Sequence, residues 1–171
     1  MSLPDAPPSS GEGKIVLSVD DDADVNEICR GFLEKAGFSV LTATGSSEAL
    51  KICKTHPGPI HLLITDLVMP PPGFSLASSD NEFPHVHGHE LAVRALRMRK
   101  DLRVVLMSGN VDTDLASYGI RKGSLPFLVK PFDYETLMNI VNQTIQAVPP
   151  TPESLMKETI KSPKGTDEWI D

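Results

Sequence analysis

Four short pieces of the chain carry side chains able to do chemistry together. They are the acidic run Asp20-Asp21-Asp22, then Asp66, Ser108, and Lys130 followed by Pro131. Carboxylates, a hydroxyl and an ammonium suit one task above others, holding a divalent cation and accepting a phosphoryl group. A carboxylate attacking a phosphoryl centre meets charge repulsion, so a cation and an ammonium must stand beside it. Magnesium takes octahedral oxygen ligands and keeps several waters, so two or three carboxylates are enough.

Each piece follows a short apolar run that reads as a buried strand. Residues 15–19 precede the aspartates, 60–65 precede Asp66, 104–107 precede Ser108 and 127–129 precede Lys130. Helical periodicity fills the intervals. Val25, Ile28, Cys29, Phe32, Leu33 and Ala36 recur at the spacing of one helical face, and Gly37 is suited to end that helix. Residues 38–43 read as a second strand, and Ser46 or Ser47 as the cap of a helix that His56-Pro57-Gly58-Pro59 breaks. Leu91 to Met98 supply a third helix, 113–122 a weaker fourth, and Leu137 to Ile145 a closing one.

Five strand–helix repeats with near-continuous apolar strands imply a parallel sheet covered on both faces. The expected fold is therefore α/β, a flavodoxin-like (βα)5 doubly wound sheet of order 2-1-3-4-5 with right-handed crossovers. Such sheets bind ligands outside the carboxyl ends of their strands, where the four pieces would gather.

The chain has 171 residues, a net charge of -7 and an apolar content of 40%, which suits a soluble globular protein. Nothing resembles a basic patch, so direct nucleic-acid binding is not expected. No apolar run approaches the ~20 residues that span a bilayer, and residues 1–13 lack the pattern of a signal peptide. Cys29 and Cys53 sit in helical apolar patterns and read as buried free thiols, which points to the cytoplasm.

Residues 1–13 are expected to be a disordered tail, 14–148 the folded domain and 149–171 a C-terminal tail or linker. Residues 70–88 form a long insertion between the third strand and its helix, where ~2–6 residues are usual. It carries His85, His87 and His89, which would share one face of an extended segment and offer a transition-metal site; three solvated histidines are the plainer reading.

The segments Val19-Asp-Asp-Asp22, Asp66-Leu-Val-Met-Pro70, Met107-Ser-Gly109 and Phe127-Leu-Val-Lys-Pro-Phe132 together resemble the response-regulator receiver domain of two-component phosphorelays. Singly each motif is common, but their joint order and spacing, apart from the long insertion, are specific. The resemblance implies that Asp66 accepts a phosphoryl group from a phosphohistidine, on a histidine kinase or a histidine phosphotransfer protein. It implies Mg²⁺ or Mn²⁺ held by Asp21, Asp66 and the backbone carbonyl of Val68, with Asp20 acting through water. Lys130 would pair with the phosphoryl oxygens, Ser108 would be the switch hydroxyl and Phe127 the switch aromatic. The Lys130–Pro131 peptide resembles a cis bond of the family, and dimerisation would use the face of the fourth helix, fifth strand and fifth helix.

The ending around Lys130-Pro131-Phe132 is similar to receivers fused to hybrid sensor histidine kinases, so an excised domain and a stand-alone regulator are both open. The resemblance implies a module that catalyses its own phosphorylation from the donor rather than a turnover enzyme. Blander roles compete at each position: helix capping for the aspartates, which is the reading adopted for Asp22, a turn for Ser108 and a core ring for Phe127. Two other classes stand beside the receiver. An aspartate-nucleophile phosphatase would use Asp20, at the end of the first strand, and an interaction module would keep the fold without phosphorylation.

Overall fold

In the computed structural model, residues 11–71, 82–117 and 125–158 are described. Five parallel strands, β1 (Ile15–Val19), β2 (Ser39–Ala43), β3 (Leu62–Asp66), β4 (Arg103–Ser108) and β5 (Phe127–Val129), pair in the order β2-β1-β3-β4-β5. The expected flavodoxin-like order is the observed one. Between them run α1 (Ala23–Lys35), α2 (Ser46–Thr55), α3 (Gly88–Met98) and α4 (Val111–Ser117), and α5 (Tyr134–Gln146) and α6 (Pro152–Glu158) follow β5. Among the described residues no helix is long and apolar enough to cross a membrane.

Successive strand side chains point to opposite faces, so every apolar strand feeds two cores. Leu17, Val19, Leu63, Val104 and Leu106 face the layer with α2 and α3, while Val16, Leu62, Ile64, Val105 and Met107 face the layer with α1 and α5. Both faces are thus covered, as near-continuous apolar strands require. Cys29 and Cys53 are buried free thiols, and burial raises each to about 11.

Local signals explain the helix ends. Asp22 caps α1, its carboxylate accepting from the Asp24 N–H at 2.9 Å. Gly37 takes φ 94°, its N–H donates to Glu34 O, and the Phe38 N–H donates to Leu33 O at 3.0 Å, the paired bonds of a Schellman ending. The α1 stripe differs from the expected one. Asn26, Cys29 and Leu33 are buried, whereas Ile28 is exposed. Asn26 can occupy a core position because its polar groups are satisfied: Ser18 Oγ donates to Oδ1, and Nδ2 donates to Asp20 O and Ala43 O.

Ser46 and Ser47 do not cap α2, whose N-cap is Gly45. Their hydroxyls hold the returning limb of the insertion instead. Val86 N–H donates to Ser46 Oγ at 2.8 Å, and Ser47 Oγ donates to Phe83 O. At the other end Arg99 donates to Cys53 O, His56 O and Gly58 O, satisfying carbonyls where His56-Pro57-Gly58-Pro59 ends α2.

Both expected boundaries of the folded body move outward, since the stretch read as a C-terminal tail or linker from 149 carries the packed helix α6. Thr151 and Ser154 bond reciprocally across the first turn of α6, with Pro152 beginning the helix, a start signal present in the sequence. Leu155 is fully buried in the core shared with α3. At the other end Gly11 is buried and turns onto Phe38, its N–H donating to Ala36 O. Residues 1–10, the middle of the insertion at 72–81, part of the expected fourth helix at 118–122, and 159–171 lie outside the described residues.

Because Leu155 is fully buried against α3, Leu155→Ala should destabilise the protein by about 2–5 kcal/mol, the usual cost of emptying a buried leucine site. Urea denaturation checks this; an unchanged midpoint would return the segment to the status of a tail.

Candidate functional site

The carboxyl ends of β1, β3, β4 and β5 deliver the four pieces to one edge, as alternation and parallel register require. Leu106 pairs with Phe127, Met107 with Leu128 and Ser108 with Val129, and the Lys130 N–H donates to Ser108 O at 2.8 Å. Asp66 ends β3 opposite Met107. The Lys130–Pro131 bond is cis.

Asp20 is fully buried and Asp66 nearly so, whereas Asp21 is exposed. Each offers an oxygen, and these oxygens all lie within 4.8 Å of one another, a grouping found nowhere else among the described residues. Lys130 Nζ stands 3.0 Å from Asp20 Oδ2 and 3.3 Å from Asp66 Oδ1. Asp20 Oδ1 accepts from the Asp22 N–H at 2.9 Å. Both Asp20 oxygens are therefore engaged by the protein, and Asp20 is fixed in place.

The electrostatics follow from this crowding. Burial, then the Asp20 charge, pushes the Asp66 carboxyl up to about 7 despite Lys130. Burial likewise raises Asp20, against the Asp22 N–H and Lys130. Burial alone would lower the Lys130 ammonium, but its bond to Asp20 and the Asp66 charge outweigh this and hold it above its ordinary value. Hard oxygen donors, one open to solvent, fit a divalent cation that prefers oxygen and keeps water, of the Mg²⁺ or Mn²⁺ kind. A cation there would offset the burial and the Asp20 charge that raise the Asp66 carboxyl.

Ser108 is buried, and its hydroxyl donates to the Asp114 carboxylate on α4 while accepting from the Asn110 N–H at 3.0 Å. Phe127 is half-buried against the core beside α3. Of the expected residues, Asp20, Asp21, Asp66 and Lys130 form one contiguous cluster, Ser108 is joined to Lys130 through the backbone, and Phe127 lies behind them. Val68 is half-buried in the turn that leaves β3.

The sequence reading missed Asn26, Asp114 and Gly88. Asn26 braces the Asp20 backbone, and its signal was a polar residue on the apolar face of α1. Asp114 carried no signal, because a carboxylate in the first turn of a short helix is ordinary. Gly88 begins α3 against the end of β3, where a Cβ would come 2.1 Å from Asp66 O. The three histidines do not share a face. Gly88 starts a helix, so His89 turns into it and is buried, leaving His85 and His87 stacked at 5.4 Å. No three-ligand metal cluster includes a histidine among the described residues, which corrects the expected alternation.

The family model for the response regulator receiver domain matches residues 16–73. The C4-dicarboxylate transport transcriptional regulatory protein DctD of Pseudomonas aeruginosa is 29% identical over 132 residues, 77% of this chain and 25% of that protein. The receiver domain of the hybrid histidine kinase CckA is 30% identical at a TM-score of 0.57, covering 77% of this chain and 99% of that one. The response regulator protein TrrA of Thermotoga maritima, solved in complex with Mg²⁺–BeF, is 25% identical at a TM-score of 0.55, covering 77% of this chain and 98% of that one. The chain spans between a quarter and half of the length of the first curated relatives it matches.

The raised Asp66 carboxyl carries a signed prediction for the metal-free protein. Its folded value of about 7 exceeds the ordinary 3.8, so folding favours the protonated form, and this contribution is lost as pH rises between those values. Asp66→Asn carries no such loss. The variant should be more stable than wild type near pH 8, by at most about 4 kcal/mol for a rise from 3.8 to about 7, with the gap closing toward pH 4. A gap independent of pH in urea melts would contradict the assignment.

Proposed function

This chain belongs to the response-regulator receiver family of two-component systems, and from that premise we propose that it accepts a phosphoryl group on Asp66 in a reaction that needs Mg²⁺ or Mn²⁺. The observation that carries this reading is Lys130 Nζ standing between Asp20 and Asp66 within a trio of convergent carboxylates. Receiver domains interact with histidine kinases or histidine phosphotransfer proteins, and the donor here would be a phosphohistidine of such a partner. An Asp66 carboxylate oxygen bonds to phosphorus as the phosphorus–nitrogen bond of the donor breaks, and the departing imidazole keeps the electron pair. Asp21, Asp66 and the Val68 carbonyl would hold the cation directly, with Asp20 acting through water. When bound, the cation supplies positive charge beside the phosphoryl oxygens.

The chain's own groups account for the rest. Lys130 balances the charge that the phosphoryl group brings to the edge, and its placement by β5 keeps it there without reorganisation. Asp20 anchors Lys130 rather than attacking, because both its oxygens already accept hydrogen bonds. That engagement disfavours the phosphatase reading, in which Asp20 would be the nucleophile.

Switching would start at Ser108. Its hydroxyl donates to Asp114, so it must leave that partner to donate to a phosphoryl oxygen. Phosphorylation then favours a packing of β4 and β5 in which Ser108 moves and Phe127 follows, a population shift between two arrangements. Output through dimerisation on the α4, β5 and α5 face belongs to the same proposal. So does an origin either as a stand-alone regulator or as the receiver of a hybrid kinase.

Acetyl phosphate with Mg²⁺ should give one phosphoryl adduct by intact mass on the wild type and none on Asp66→Asn. Adducts on both, or on neither, would overturn the reading. The side chain of Val68 is apolar and cannot orient an attacking water, so the adduct should persist well beyond seconds; decay within seconds would contradict this. Asp114→Asn should raise beryllofluoride affinity about fivefold, because the unphosphorylated state loses a charge-assisted bond worth roughly 1 kcal/mol. An unchanged or weaker affinity would remove Asp114 from the switch.

A further inference from the structure

The limb of the insertion that returns to α3 does something no expected role assigned to it. His87 Nδ1 accepts from the Met69 N–H at 3.1 Å, and His85 Nε2 donates to Met69 O at 2.7 Å. The Met69 N–H belongs to the same planar peptide unit as the Val68 carbonyl, and the only cis bond described is Lys130–Pro131. In a trans unit the N–H and C=O point in opposite directions. Holding the N–H against His87 therefore sets the direction of the Val68 oxygen.

We propose that His87, seconded by His85, is a positioning residue for the cation site: by taking the Met69 N–H it fixes the peptide plane that presents the Val68 carbonyl. The inference rests on the reading of Val68 as a cation ligand.

Three observations support it beyond the two hydrogen bonds. First, the two peptides before Val68 are also held, since Leu67 N–H donates to Met107 O at 2.8 Å and Gly88 N–H donates to Leu67 O at 3.0 Å. The turn is thus gripped from β4, from α3 and from the insertion. Second, His87 is mounted on a rigid base as the residue that caps α3, its carbonyl accepting from the Leu91 N–H at 2.9 Å. Third, the limb that carries both rings is fastened to α2 by Ser46, Ser47 and the Lys54–Glu82 ion pair, and His85 stacks edge-on against His87.

The chemistry of the two rings is consistent with this role. An N–H donor requires an unprotonated Nδ1 on His87, and burial followed by the nearby His85 keeps that imidazole below its ordinary value. His85, facing a carbonyl, carries its proton on Nε2. Outer contacts of this kind are worth about 10–100-fold in metal affinity at sites where they orient a ligand.

The test compares three variants with the wild type. His87→Phe keeps a ring of similar size but has no acceptor. His87→Asn restores an acceptor, because its Oδ1 can take the place of Nδ1. Leu155→Ala is a control destabilised through the packing of α6 on α3, with every hydrogen bond to Met69 left in place. Hydrogen exchange of the Met69 amide in the metal-free protein and Mg²⁺ affinity by calorimetry, without phosphodonor, are measured on each. His87→Phe should lose Met69 protection and weaken Mg²⁺ binding about 10-fold. His87→Asn should stay within about 3-fold of wild type, and Leu155→Ala should bind Mg²⁺ normally. Wild-type affinity in His87→Phe would overturn the inference while leaving the cation reading intact. Equal loss in His87→Asn, or in Leu155→Ala, would reduce His87 to packing and also overturn it. A wild-type protein that binds no Mg²⁺ would sink the cation reading itself.

Discussion

Mutual repulsion of carboxylates is the constraint around which the edge of this sheet is built. Oxygens from Asp20, Asp21 and Asp66 lie within 4.8 Å of one another, two of the three side chains being buried. At an effective dielectric constant near 20, two unit charges at such a distance repel by on the order of 3 kcal/mol. The chain offsets this with one ammonium, Lys130, placed against both buried carboxylates, while burial first and the Asp20 charge second push the Asp66 carboxyl up to about 7. Positive charge remains in deficit at the cluster, and a divalent cation is the simplest group to supply it.

The rest of the fold reads as what such a cluster needs in order to stay assembled. Four strands from one parallel sheet bring their ends together, and their apolar faces are locked between two helical layers. Close support comes from polar groups: Asn26 braces the Asp20 backbone, Gly88 lets α3 abut Asp66, and Ser108 receives the Lys130 N–H on its carbonyl. The long insertion, instead of standing apart from the site, returns along α2 and grips the turn after Asp66 with two imidazoles. Its divergence from the usual short connection is thereby tied to the same edge.

The parts of this arrangement legible in the sequence were those with a strong period or a fixed chemical type. Apolar runs and helical spacing are enough for the strands and helices, the order follows from a flavodoxin-like sheet that gathers four strand ends at one crevice, and the carboxylates and Lys130 stand out because each ends such a run. Positions set by tertiary hydrogen bonds were not legible. Asn26 occupies the α1 face that periodicity gave to Ile28, since a buried amide is tolerated only where Ser18, Asp20 and Ala43 meet it. Ser46 and Ser47 looked like caps, because nothing local showed that the insertion would claim their hydroxyls. The histidines alternate in sequence, but a helix starting at Gly88 breaks the alternation in space. Thr151-Pro152 is a start signal for α6, but the mostly polar residues after it hide the helix behind the composition of a tail.

The central claim is that the cluster makes Asp66, and not its buried neighbour Asp20, the nucleophile. Borohydride reduces an acyl phosphate at the residue that carries it, so reduction of the phosphorylated protein followed by peptide mass mapping reads the site directly. A single reduced residue at Asp66 is the expected result. Reduction at Asp20, or spread over the cluster, would contradict the account.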